Sequence, residues 1–357
     1  MKNMRLSNNL HFPKKLLGVE FAPVILPLER RLQTLSVVVW FLLTVYLSVL
    51  HYPFVIYALC LSNYKTAAAV VILPYLTWIW IIDKDTCHRG ARTSICVRKW
   101  RLWKYFCDYF PITLVKTAEL DPSKNYLFCS HPHGLLCTGA FGCFGTEGRE
   151  VGKIFPGFEF NILTFNVSFI FPILRELILL LGICSASRHS MNYVLGKPGG
   201  GKVGILIPGG APEALDFNPD TYILQLKRRK GFIKVALQNG SPLVPVFSFG
   251  ETEVYSQVSN PRGSLLRTIQ DKIQQALDIP PAIFYGRGVF QYSFGFVPKR
   301  RPIYVVVGAP LPVKKIPEPK QAEIDELHQN YIDALSEIFY AHREKYAVDP
   351  NQVLTIV

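Results

Sequence analysis

The chain has 357 residues, room for one large domain or two modest ones. It is 49% hydrophobic and 13% aromatic, with a mean hydropathy of +0.20: apolar for a soluble enzyme and too polar for a multi-span transporter. A net charge of +13 favours anionic partners, whether nucleic acid, acidic lipid headgroups or a phosphorylated substrate. No basic-aromatic RNA-binding motif or zinc-finger spacing occurs, so nucleic acid is set aside. The eight cysteines form no CxxC pair and none follows Cys184, which fits reduced thiols facing the cytosol rather than a disulfide framework or a zinc site.

In chain order, residues 1–31 are polar and basic, with Lys14, Lys15, Arg30 and Arg31, and read as a cytosolic segment. Residues 32–64 carry no formal charge apart from His51 if protonated, and residues 66–82 carry none. The first block is long enough for a bilayer, which takes about 20 residues, and the second is at the short end. The apolar run starts too late and is too long for a cleavable signal peptide. Basic residues precede the first block, and Lys84, Arg89, Arg92, Arg98, Lys99 and Arg101 follow the second. The positive-inside rule therefore places both ends in the cytosol. Residues 32–82 read as a transmembrane or re-entrant helical hairpin, in which Pro53 and Pro74 permit kinks. The competing reading is a buried helix pair of a soluble core. Residues 83–119 are basic and aromatic and read as a linker on the membrane surface, the alternative being a helix packed on the following domain.

From residue 120 the pattern alternates. β-type runs at 126–130, 203–208, 243–249 and 303–308 are separated by helix-like stretches near 172–182, 229–239 and 262–277. Residues 120–357 thus read as an α/β domain with a central sheet flanked by helices. A last helix over about 320–345 places Ile324, Leu327, Tyr331, Leu335, Ile338 and Phe339 at helical spacing. Residues 160–183 are strongly apolar but hold Arg175 and Glu176. Crossing lipid would bury both at a cost of a few kcal/mol, so a helix inside the domain or on its membrane face is expected, with the pair turned toward the site.

The chemistry is expected around residues 126–134. An apolar strand delivers His131 and His133 to a break marked by Pro132 and Gly134. Residues two apart on an extended chain face one way, so both imidazoles are expected in one pocket, suited to proton transfer near neutral pH. Several other patterns fail. Gly199, Gly201 and Gly204 have dinucleotide-fingerprint spacing but precede a strand, and Val203 stands where a phosphate loop needs Ser or Thr. No G-x-S-x-G elbow occurs. Four clusters remain: Gly209 and Gly210 leading to Glu213, the cations 227–230 before Gly231, Glu251 after an apolar strand, and Arg287 between two glycines.

His131-Pro132-His133-Gly134 resembles the signature of the diacylglycerol acyltransferase type 2 family. Asp108-Tyr-Phe-Pro111, Pro172-Ile-Leu-Arg-Glu176, Gly209-Gly-Ala-Pro-Glu213, Arg229-Lys-Gly-Phe232, Phe249-Gly-Glu251, Gly286-Arg-Gly288 and Val307-Gly-Ala-Pro310 follow in family order over about residues 100–345. Pro208 and Pro212 depart from that pattern. The resemblance implies the glycerolipid acyltransferase fold and transfer of an acyl chain from acyl-CoA, a co-substrate, to a lipid hydroxyl. The acceptor is expected to be diacylglycerol, with monoacylglycerol or a long-chain alcohol as alternatives. The place implied is the cytosolic face of the endoplasmic reticulum membrane, with lipid droplets and a homo-oligomer left open. No cofactor or metal is expected.

On this reading His133 is the base, and His131 orients it or holds the acceptor. Related glycerolipid acyltransferases carry an aspartate four residues after the histidine. Leu135 and Cys137 stand there in this chain, so Glu213 or Glu251 is expected to substitute. Arg175, Arg229 and Arg287 are candidates for the CoA phosphates or the acceptor headgroup. Gly134, Glu176, Gly209, Gly210 and Gly231 complete the expected substrate site. Two rivals are a histidine–carboxylate metal site for hydrolysis and a non-enzymatic lipid-binding scaffold.

Overall fold

The computed structural model describes residues 14–357 except 24, 220, 278 and 279; residues 1–13 of the basic leading segment lie outside the described residues. A seven-stranded mixed sheet holds the domain together. Its strands are β1 (Ile112–Lys116), β2 (Tyr126–His131), β3 (Glu159–Thr164), β4 (Cys184–Ser185), β5 (Lys202–Leu206), β6 (Leu243–Phe249) and β7 (Ile303–Val307). Their spatial order is β1-β7-β6-β2-β5-β3-β4. The five strands from β6 to β4 are mutually parallel, while β7 runs antiparallel to β6 and parallel to β1. β2 and β6 are buried at every residue, as central parallel strands covered on both faces must be. That is why they read as continuous apolar runs.

Alternation along β2 divides the core in two. Tyr126 and Phe128 pack with Phe144, Phe155 and Phe160, while Leu127 and Cys129 pack with Tyr331, Leu335 and Phe339. The first face is covered by α1 (Leu28–Phe41) and α4 (Arg101–Tyr109). On the second lie α6 (Arg188–Leu195), α7 (Gly231–Asn239) and the long α9 (Gln321–Tyr346), while α8 (Leu265–Leu277) packs near residues 210–213. The last strand-like segment, Leu354–Ile356, pairs in parallel with Tyr222–Leu224. The expected runs near 126, 203, 243 and 303 are strands, and the expected final helix is α9.

Three boundaries differ from the sequence reading. Residues 160–183 are not one helix: the run opens in β3 and only its second half forms α5 (Leu174–Leu180). A short apolar run does not distinguish strand from helix by period, and here the parallel partner β5 decides. Residues 83–119, read as a surface linker, are built into the domain. Trp103, Phe106 and Tyr109 of α4 are buried, β1 joins the sheet, and buried Arg98 donates to the carbonyls of Phe144, Phe160 and Leu181.

The first apolar block also divides. Ser36, Val37 and Phe41 of α1 are buried in the domain, and Trp40 stacks on Phe141 with ring centroids 4.3 Å apart. Beyond it, α2 (Leu47–Ile56) exposes Leu50 and Phe54, and α3 (Lys65–Thr77) continues the second arm. Among the described residues one helix, Lys65–His88, is long and apolar enough to cross a membrane, with 24 residues and an 18-residue stretch of mean hydropathy 1.7.

Candidate active site

Three adjacent parallel strands end at one edge of the sheet, and just beyond each lies a titratable residue. β6 leads to Glu251, β2 to His133 and β5 to Glu213. Ligands of open α/β sheets gather outside the carboxyl ends of their strands, and this crevice is of that kind.

His133 is buried, with 6% of its surface exposed. Its Nδ1 lies 3.1 Å from the carbonyl oxygen of Gly134. A carbonyl can only accept, so Nδ1 carries the hydrogen and the lone pair of the neutral ring sits on Nε2. Burial holds the imidazole below its ordinary pKa of 6.5, against the hydrogen bond to Gly134. At neutral pH it is therefore an uncharged base in the correct tautomer. Its ring lies nearly parallel to Phe165, at 6.4 Å between centroids. The Cys137 amide donates to the His133 carbonyl, closing a turn in which the amides of Gly134, Leu135 and Leu136 have no protein acceptor among the described residues.

The two carboxylates hold backbone rather than the ring. Glu213 Oε1 accepts from the His133 amide at 2.6 Å, and Oε2 accepts from the Gln225 amide at 2.9 Å. Glu251 Oε1 and Oε2 accept from Thr138 and Gly139 at 2.6 and 2.7 Å, fixing the segment that follows the HPHG turn. Burial raises both carboxyls to about 7, while the two amides on each pull the other way. Glycine is required beside each. Gly134 has φ +55°, and a Cβ there would lie 2.8 Å from Glu251 Cγ; at Gly209 it would lie 2.0 Å from Glu213 Oε2. Gly210, the next residue, has φ +60°. The expectation that a distant carboxylate orients the imidazole is corrected: the Gly134 carbonyl does so, and Glu213 positions the backbone beneath it.

His131 is fully buried and its Nε2 lies 3.0 Å from the Tyr331 hydroxyl on α9. Burial without a charged partner lowers its pKa to about 3. The two histidines thus have separate surroundings rather than one pocket: His131 faces Tyr331 on α9, while the His133 ring lies against Phe165 and the Gly134 carbonyl. Among the described residues no three His, Cys, Asp or Glu side chains converge as a ligand set.

The cations separate as well. Arg175 is buried and donates to the Asp83 carbonyl and carboxylate at 2.6 and 2.7 Å and to Glu176 at 2.7 Å. Arg92 bonds the same Asp83 and Glu176 carboxylates, so the four charges lock α5 to the foot of the second apolar arm. Arg287 is also committed. It bonds the Tyr109 hydroxyl at 2.8 Å and Thr34 at 3.4 Å, with its guanidinium over the Tyr109 and Tyr292 rings. Neither offers free charge to a phosphate. By contrast Lys227, Arg228 and Arg229 are exposed and their side chains make no bond or ion pair among the described residues. Arg229 is near enough to favour the ionised form of Glu213, and Gly231 opens α7 beside it. Tyr331, Thr138 and Gln225 went unnoticed as site supports. Tyr331 was legible only as an inward residue of α9.

Residues 61–357 match the family described as diacylglycerol acyltransferase. The chain belongs to that family. Among its relatives, bovine 2-acylglycerol O-acyltransferase 1 is 44% identical over 336 residues, covering 94% of this chain and 98% of the relative. Diacylglycerol O-acyltransferase 2 of Xenopus tropicalis is 42% identical over 329 residues, covering 92% and 90%. A solved structure, the 1-acyl-sn-glycerophosphate acyltransferase PlsC of Thermotoga maritima, aligns over 86% of this chain and 97% of that one, at TM-score 0.37 and 14% identity. This member of the diacylglycerol acyltransferase family is accordingly an acyltransferase enzyme.

Proposed function

We propose that the chain transfers a fatty-acyl group from acyl-CoA to the free hydroxyl of an acylglycerol, with His133 as general base. The observation that carries this reading is the His133 ring, uncharged and with Nδ1–H held by Gly134, which leaves Nε2 free to take the alcohol proton. The alcohol oxygen attacks the thioester carbon as His133 takes its proton. Collapse of the tetrahedral adduct breaks the carbon–sulfur bond, and the departing thiolate receives the proton back. The unengaged amides of Gly134, Leu135 and Leu136 are the nearest donors to that base and suit the developing oxyanion. The free cations 227–229 suit the CoA phosphates, and the long apolar helix Lys65–His88 suits the second arm of a membrane hairpin over residues 32–82 whose two ends are cytosolic, as at the endoplasmic reticulum.

Diacylglycerol is the acceptor in this reading. A second acceptor, 2-monoacylglycerol, is favoured by the names of the relatives that are 44% identical. The test is acyl transfer from labelled oleoyl-CoA in microsomes, with each acceptor offered in turn, by wild type and His133→Ala. Wild type is expected to form labelled glycerolipid and the variant none at equal protein level. Substantial transfer by His133→Ala would remove His133 from the mechanism.

A further inference from the structure

Residues 354–357 reach the site through backbone. Leu354–Ile356 pair in parallel with Tyr222–Leu224. Val357 then grips the chain on both sides of Gln225. Its amide donates to the Leu224 carbonyl at 2.8 Å, and its carbonyl accepts from the Leu226 and Lys227 amides at 3.0 and 2.9 Å. Gln225, between those anchors, gives its own amide to Glu213 Oε2 at 2.9 Å. The other oxygen of Glu213 accepts from the His133 amide at 2.6 Å. A row of hydrogen bonds thus runs from Val357 past Gln225 to the backbone of His133, and it is whole only while both Glu213 oxygens accept.

Other groups steady the same row. The Gln225 side chain donates to Asp216, which also accepts from Arg267 at 2.6 Å. Buried His328 on α9 donates from Nε2 to the Leu226 carbonyl at 3.1 Å. Arg343, near the end of α9, donates to the Gln352 carbonyl at 3.0 Å and ties the incoming strand to that helix. Glu213 itself faces Asp216 on its own turn, Arg229 ahead of α7, the Tyr331 hydroxyl on α9 and the Cys137 thiol beyond the HPHG turn. The Gln225 amide favours the ionised form of Glu213, so its loss raises the pH at which both oxygens accept.

We propose that residues 354–357 are a positioning strand for acyl transfer: they hold Gln225, Gln225 holds Glu213, and Glu213 sets the backbone that carries the His133 ring. The inference rests on His133 as general base. A shift of about 1 Å at such a group costs as much as a hundredfold in rate, even when the change is made far from the chemistry. A strand that only closed the fold would behave differently. Loosening it would lower heat resistance and leave the activity of each folded molecule, and its pH dependence, unaltered.

Purified full-length protein in vesicles tests this with oleoyl-CoA and a fixed acceptor. Val357→Pro removes the amide that donates to Leu224, and Val357→Ala keeps it. Val357→Pro is expected to lower kcat about tenfold with KM for acyl-CoA little changed, and to move the rise of kcat near pH 7 upward. Val357→Ala is expected to match wild type. In Glu213→Gln the row is already broken, so adding Val357→Pro is expected to cost less than about twofold more. Arg343→Ala frees the Gln352 carbonyl and leaves the ladder whole. Crossed with Glu213→Gln in the same way, it is expected to show the same signature more weakly, and it decides the matter should Val357→Pro not fold. An equal loss in the wild-type and Glu213→Gln backgrounds overturns the positioning role, as does an unmoved pH profile. If His133→Ala keeps substantial transfer, the general-base reading itself fails, which is a separate result.

Discussion

Glu213→Gln isolates what a buried carboxylate does for the proposed base, His133, whose ring it never touches. Glu213 takes two amides, His133 at 2.6 Å and Gln225 at 2.9 Å, one on each oxygen. An amide side chain keeps one acceptor and aims an NH₂ at the other donor, so one hydrogen bond to a charged group is lost. That costs about 2 kcal/mol in a site with 2% exposure. If all of it falls on the placement of His133 in the transition state, kcat drops roughly thirtyfold with KM for acyl-CoA little changed. The pH dependence is the sharper readout. The wild-type carboxyl titrates near 7 because it is buried. Above that pH both oxygens accept. Below it a proton occupies one of them, and wild type comes to resemble the amide. The ratio of wild-type to variant kcat is therefore expected to be larger at pH 8 than at pH 6, measured with oleoyl-CoA in vesicles. A ratio near one at pH 8, or one that is the same at both, refutes the positioning role.

Tyr331→Phe removes the hydroxyl that holds His131 and leaves a buried imidazole nitrogen unpaired, at a cost of about 1–3 kcal/mol. The midpoint of heat inactivation is expected to fall by several degrees with KM unchanged, since His131 is placed as a core residue. Arg175→Ala leaves the Asp83 and Glu176 carboxylates to Arg92 alone and is expected to destabilise by about 1–3 kcal/mol, read as protease cleavage near residues 83–92. The KM for acyl-CoA is expected to stay as it was, where a phosphate-binding arginine would raise it. Glu251 titrates near 7 when folded against 4.5 as its ordinary value, so the folded state holds a proton that the unfolded chain has released. Its contribution is full below about 4.5 and lost as pH rises through 7. The heat resistance of wild type relative to Glu251→Gln is expected to decline over that interval.

How much of this was legible in the sequence depends on the distance over which each feature is decided. β2 and β6 announced themselves because both faces are covered and nearly every residue is apolar. α9 did so because its inward positions recur at helical spacing. β3 and β4 did not, since a short apolar strand running into a helix has no period of its own. The gathering of Glu213, His133 and Glu251 at one edge follows from strand order, though their roles do not. An imidazole oriented by the adjacent carbonyl leaves no trace in spacing, and carboxylates that grip amides look the same in sequence as carboxylates that grip rings. The arginines misled for a related reason. Arg175 is claimed by Asp83, 92 residues earlier, and Arg287 by Tyr109, 178 residues earlier. An internal ion pair and a ligand site use the same residue types.

His131 and Tyr331 stand 200 residues apart in the chain. A ribosome adding about 5–20 residues per second needs tens of seconds or less to cover that interval, and until it ends the second face of the central strand has α6 and α7 at most and lacks α9. The apolar helices that precede the sheet leave the ribosome first, so they can find lipid while the catalytic crevice is still without its floor. α9 then arrives with Tyr331, Leu335 and Phe339 to close the uncovered face, and only after that do residues 354–356 pair with 222–224, next to the Gln225 amide that Glu213 accepts. A complete site is therefore a late property of synthesis, and a chain that stalls within α9 is left with part of one sheet face open and its crevice unfinished.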